Sequence, residues 1–251
     1  MTKAIELTEE EVKAPGFSGW VRLSRYAALT VFVWSVVLQL LAGELIPEVA
    51  GIGIVFVAFV PFLRGERRRL AGVVGGLAVV ALLGNLPGTI DELTHPESAP
   101  AFILTLLVSL AAVTAIVSGV AALRRSSGEA LRGTVITMTG LFAAGVIVAF
   151  VAAAGVDSAL PADSDVEVVA RGVEFDETEL VVSAGATGFW VDNQDGIRHT
   201  FTIEGTDLEI DVPALSAQRA EFDLDAGRYT VICAVPGHEN MKIDLTVEAS
   251  S

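Results

Sequence analysis

The chain has 251 residues, a formal net charge of −15 and a mean hydropathy of +0.60. So apolar a chain that is still 19% charged divides between two solvents. The charge divides as well. Residues 1–155 carry 11 acidic and 11 basic side chains, residues 156–251 carry 20 and 5, and so acidic a surface repels phosphate and excludes nucleic acid as a partner. It suits either a basic protein partner or plain solvation in a salty medium.

Five apolar runs occupy the first part, at about 26–43, 46–63, 70–89, 101–123 and 133–155. Most approach the roughly 20 residues that a helix needs to cross a bilayer. A secretory signal would show one short apolar core and a cleavage site, not five runs in succession. The expected fold class is therefore an α-helical membrane bundle of about five transmembrane helices over residues 1–155. All bases in this part fall at three places: Lys3, Lys13, Arg22 and Arg25 before the first run, Arg64 and Arg67–Arg69 after the second, and Arg124, Arg125 and Arg132 after the fourth. These are alternate sides of a five-helix topology. The positive-inside rule then places the N-terminus in the cytoplasm and the chain beyond Gly155 outside, in the cell membrane.

The runs contain no Cys and no His, which excludes a membrane haem held by paired histidines. Gly72 and Gly76 form a G-x-x-x-G pair suited to close helix packing. Glu48 and Asn85 fall near outer helix ends, where water can reach them. His95 lies in "DELTHPES" beside Asp91, Glu92 and Glu97, either as an auxiliary metal ligand or as a surface histidine in an acidic loop.

"VDSALPADSD" (156–165) is small, acidic and proline-bearing, and reads as a linker. Beyond it the periodicity changes from helical to alternating. "VEVVA", "ELVVSAG", "TGFWVDN", "HTFTIEG", "LEIDV", "QRAEFDL", "RYTVICAV" and "KIDLTVEA" are rich in Val, Ile, Thr and aromatics and are separated by Gly, Asp, Asn and Pro. Seven or eight such strands predict an extracytoplasmic β-sandwich over 166–251.

The last predicted hairpin carries "CAVPGHENM". Cys233, the only cysteine, is followed by His238 and Met241, with Pro236 and Gly237 to bend the chain between them. A cysteine thiolate, two imidazoles and a weak methionine thioether form the ligand set of a mononuclear blue copper centre. Apart from His95, the second histidine can only be His199, which opens another predicted strand. Each residue has an ordinary structural explanation alone: buried thiol, core methionine, solvated histidine. Their gathering in one loop outside the membrane, where a lone thiol tends to be oxidised, favours a metal. Zinc on Cys, two His and an acid is the other candidate, but methionine is a poor zinc ligand.

The last 80 or so residues resemble the cupredoxins, the plastocyanin-like small blue copper proteins. The resemblance rests on "NQDGIRHTF" and "GRYTVICAVPGHENMKIDLTVE". It implies a Greek-key sandwich, one type 1 copper held by His199, Cys233, His238 and Met241, and electron transfer through the edge of His238. Two departures are visible: only two residues separate His238 from Met241, and Thr200 follows His199 where many members have Asn. Residues 1–155 lie outside the resemblance.

With one cysteine and three histidines, the chain lacks the ligands for a dinuclear copper centre or a multicopper oxidase. The expectation is a non-enzymatic carrier, tethered in membrane lipid and exchanging electrons with a redox protein partner. Two alternatives stand beside it: a module for copper storage, delivery or sensing, and a non-catalytic subunit of a membrane oxidoreductase complex, docked to other subunits through the helices.

Overall fold

The structure, a computed structural model, describes residues 16–42, 45, 47–65, 67–238 and 240–249. Glu239 in the "CAVPGHENM" loop and the bases Lys3 and Lys13 lie outside the described residues.

Among the described residues, six helices come first: α1 (Gly16–Ala42), α2 (Pro47–Phe59), α3 (Arg68–Gly84), α4 (Leu86–Thr94), α5 (Ala99–Arg124) and α6 (Gly128–Ala153). Among the described residues, α1, α5 and α6 are long and apolar enough to cross a membrane. Helices α3 and α4 would make a fourth span if taken together, but they are bent by 71°. The 13-residue α2 is apolar yet shorter than a bilayer core requires. Of the five or so spans expected, length and apolarity among the described residues support three, or four with the bent pair.

The third run breaks for a local reason. Pro87 stands in the first turn of α4, and a proline further inside a helix removes an N–H and clashes with the preceding turn. The Asn85 amide donates to the Ala81 carbonyl at the break (3.0 Å).

Helices α3 and α5 pack closely through small residues. A β-carbon on Gly75 would lie 3.1 Å from the Ala115 carbonyl oxygen, and one on Gly119 would lie 2.6 Å from that of Ala71. The close approach therefore uses Ala71-x-x-x-Gly75 against Ala115-x-x-x-Gly119. Gly72 does face Leu123 on α5, but Gly76 faces open space. A buried Ser24–Ser118 hydroxyl pair (2.6 Å) joins α1 to α5.

The β part has eight strands: β1 (Val166–Ala170), β2 (Glu179–Ser183), β3 (Gly185–Asn193), β4 (His199–Ile203), β5 (Glu209–Val212), β6 (Ala217–Leu224), β7 (Gly227–Ile232) and β8 (Lys242–Glu248). They form a three-stranded sheet, β1-β3-β6, and a five-stranded sheet, β2-β8-β7-β4-β5. One apolar core includes Val168, Phe189, Val191, Phe201, Ile203, Phe222, Val231, Ile243 and Leu245. The Phe189 and Phe201 rings lie 5.0 Å apart at its centre. Each fully buried large side chain there stabilises the fold by roughly 1.5–3 kcal/mol.

Residues 156–165 do more than link. Ala159 donates its N–H to the Ala217 carbonyl (2.8 Å), and Trp190 Nε1 donates to the Ala159 carbonyl (2.8 Å). Arg219 closes the strap with two hydrogen bonds to Asp165, of 2.6 and 2.8 Å. The segment thus covers the β6 edge, whose backbone groups would otherwise face water.

Candidate metal centre

Strand pairing brings the distant histidine to the cysteine. β4 runs antiparallel to β7, with Thr202 opposite Ile232. The start of β4, His199, therefore lies at the same sheet end as Cys233, the residue after β7. Cys233 donates its N–H to the Met241 carbonyl (3.1 Å), which closes the last hairpin. Between them Val235 accepts from the His238 N–H (3.1 Å) across Pro236 and Gly237, with Gly237 at φ +95°. Proline followed by a positive-φ glycine under such a bond marks a type II turn, and it returns His238 toward the cysteine.

Cys233 Sγ lies 3.7 Å from His199 Nδ1 and 3.5 Å from His238 Nδ1. The ligand atoms of all three residues fall within 4.8 Å of one another. A metal about 2.0 Å from each nitrogen and about 2.3 Å from sulfur, lying between them, requires N···S separations of about 3.5–3.7 Å. The donor set and its spacing fit such an ion. His199 and Cys233 are buried, while His238 is half-buried and its neighbours Ala234, Pro236 and Gly237 are exposed. Met241 is buried beneath the loop at 1% exposure.

Burial pushes the Cys233 thiol up, but hydrogen bonds with His199 and His238 and from the Thr200 and Val235 amides outweigh it and bring the pKa down to about 6. The Thr200 amide lies 3.4 Å from the sulfur. The Thr200 hydroxyl also accepts from the Ala234 N–H (2.8 Å). Thr200 therefore ties the strand of one candidate ligand, His199, to the loop that carries the others.

Asp195 was not among the residues singled out by sequence, yet it organises this end of the sandwich. Its Oδ2 accepts from His199 Nε2 (2.8 Å), which leaves Nδ1 free to face the sulfur. The same carboxylate accepts from the amides of Gly172 (2.9 Å) and Val173 (3.2 Å). Val173 has φ +61°, a strained conformation for a β-branched residue, and the Asp195 bond helps to hold it there. Burial raises the Asp195 pKa, but the His199, Gly172 and Val173 hydrogen bonds hold it below the usual carboxylate range. For His199, burial lowers the pKa and the Asp195 and Cys233 contacts more than restore it, raising it above its ordinary value.

Asn193 fixes the loop that carries Asp195. Its Nδ2 donates to the carbonyls of Ile197, Val212 and Pro213 (2.8–3.1 Å), and its Oδ1 accepts from the Asp195 amide (2.9 Å). The sequence signal for Asp195 was a carboxylate four residues before a candidate ligand histidine.

His95 stands apart from these three residues. Its ligand atoms and those of Glu97 and Asp211 fall within 4.8 Å of one another. Arg198 already occupies Asp211 Oδ1 (2.8 Å), and His95 Nδ1 lies 2.7 Å from the Asp91 carbonyl.

No protein-family model matches the chain, and no curated protein matches it. Among solved structures it is similar to auracyanin B, with 22% identity, 36% of this chain and 91% of that chain covered, and a TM-score of 0.30. It is also similar to amicyanin from Paracoccus versutus, with 21% identity, 36% and 85% covered, and a TM-score of 0.30. A Cu(I) form of an amicyanin variant is similar at 20% identity, with 35% and 86% covered and a TM-score of 0.29.

Proposed function

We propose that residues 166–249 are a cupredoxin-like electron-transfer domain that binds one type 1 copper through His199, Cys233, His238 and Met241. The helices tether it to the outer face of the cell membrane. The observation that carries this reading is the convergence of His199 Nδ1, Cys233 Sγ and His238 Nδ1 at metal-binding separations on the end of a packed sandwich. Copper, when bound, supplies a one-electron couple.

The chain's own residues do the rest. Asp195 holds His199 in the tautomer that leaves Nδ1 bare. The Thr200 amide and the paired strands hold the sulfur without rearrangement. Met241 would supply a weak thioether ligand, from a position shielded from water. Val235 excludes water beside the sulfur, and exposed Ala234 and Pro236 flank His238, the port through which an electron leaves. The domain is a carrier, not an enzyme: it needs no substrate pocket.

Residues 91–98 touch the β domain, so that loop and the sandwich share one side of the helices. With α2 and the bent α3–α4 pair taken as crossing too, the spans number five; the bases then cluster in the loops opposite the sandwich and support a cytoplasmic N-terminus. Apolar residues exposed along α6, including Ile136, Leu141, Ile147, Phe150 and Val151, supply the surface that lipid or a neighbouring subunit of an oxidoreductase complex would cover.

The experiment is reversible reduction of the copper-loaded chain in the presence of a strong copper chelator. Repeated cycling with copper retained supports electron transfer. Loss of copper to the chelator on the first reduction would support storage or delivery instead.

A further inference from the structure

The ligand end of the sandwich does not stand free above the helices. Arg198, next to ligand His199, is 8% exposed at its side chain and reaches Asp91 of α4 at 2.6 Å while holding Asp211 at 2.8 Å. Ser98, fully buried ahead of α5, accepts the Ala214 N–H at 3.0 Å. Its hydroxyl makes no cap bond to its own helix. A β-carbon on Gly196 would lie 3.6 Å from Pro100 Cβ, so the His199 loop runs in contact with the start of α5. The His238 ring lies 4.9 Å from that of His199, beside this contact.

We infer that α4 and the residues before α5 are a built-in clamp, which seats the copper domain with its ligand end against the membrane domain and covers the flank of the two histidines that carries Gly196 and Arg198. The Asp91–Arg198 ion pair and the Ser98–Ala214 hydrogen bond are its two fastenings. The open approach to His238 is then confined to the side bearing Ala234, Pro236 and Gly237, which stay exposed. The chain itself selects the face a redox partner can use, and opening the clamp enlarges it. This functional meaning rests on the copper reading above; the clamp itself does not.

The test uses the metal-free full-length chain in nanodiscs, and so is independent of copper. Wild type is compared with Asp91→Asn, Ser98→Ala and the double variant by amide hydrogen exchange at Ala214 and by diethyl pyrocarbonate modification of His238. Exchange at the buried-strand residue Val231 reports intact folding in each. The clamp predicts that both Ala214 exchange and His238 modification quicken about tenfold or more in the double variant, the effect of losing a charge-assisted hydrogen bond from a local opening equilibrium, while Val231 stays protected. Each single variant falls between. Ser98→Ala removes the Ala214 acceptor itself, so the clamp is read at Ala214 from Asp91→Asn: unchanged exchange there overturns the clamp, and unchanged His238 reactivity in the double variant overturns the shielding. Failure of the copper reading would show as a colourless copper-treated chain and would leave both results standing.

Discussion

Asp195→Asn tests how far the polypeptide, beyond its ligands, sets the copper potential. The Asp195 carboxylate accepts from His199 Nε2 at 2.8 Å and is held in its ionised form by three hydrogen bonds. Across the imidazole ring, its charge stands about 6–7 Å from an ion on Nδ1, which at an effective dielectric constant of about 20 is roughly 2.5 kcal/mol of attraction. At 59 mV per 1.36 kcal/mol for one electron, that is about 110 mV as an upper bound. Asp195 is partly solvated, with 17% of its side chain exposed, so about half of this should be seen. The negative charge favours the more positive oxidised ion. Its removal must therefore raise the potential, by about 50 mV. The assay is a spectroelectrochemical titration of the copper-loaded protein, with retention of the visible band as the check that His199 still ligates. A potential that stays put or falls while the band is intact would mean that the Asp195 charge does not act on the copper.

Two further outcomes are expected. Thr200→Val keeps the shape of a buried residue but removes the acceptor for the Ala234 amide; it should lower the denaturant stability of the metal-free β domain by about 1–3 kcal/mol and hasten copper loss, as chemical denaturation and dissociation kinetics would show. Asp165 has its pKa lowered chiefly by the Arg219 hydrogen bonds, so the stability it adds is complete above the ordinary carboxylate value of about 4 and is lost as pH falls through the lowered native value. Asp165→Asn should therefore flatten the acid side of the stability profile below about pH 4 and leave the neutral region parallel to wild type.

The β half was legible because strand alternation and ligand spacing are local. "VEVVA" is β1 residue for residue, and the other strands begin and end within two or three residues of the quoted segments. Cys233 and His238 were joined by their own loop. His199 was reached because the chain offered so few histidines, and antiparallel pairing of β4 with β7 supplied the proximity.

What escaped depends on partners far along the chain, or on local chemistry that was passed over. Arg198 and Asp91 are 107 residues apart, and nothing in either segment announces the other. The strap at 156–165 was read from composition as a tether, but an acidic proline-bearing segment can equally pair with a sheet edge if one is beside it. The break at Asn85 was readable: Pro87 and Gly88 interrupt the apolar run, and hydropathy alone conceals such a pair because it scores only the run's average. The choice of Gly75 over Gly76 as the close-packing glycine depends on the rotation of α3 about its axis, which is set by α5.

The most direct measurement is visible absorption and electron paramagnetic resonance of the full-length chain loaded with cupric ion, beside Cys233→Ser. A blue copper centre on Cys233 predicts an intense blue thiolate-to-copper band and narrow copper hyperfine splitting in the wild type, both absent from the variant. A wild-type protein that stays colourless, or whose spectrum matches that of Cys233→Ser, would contradict the copper centre and the electron-transfer function built on it.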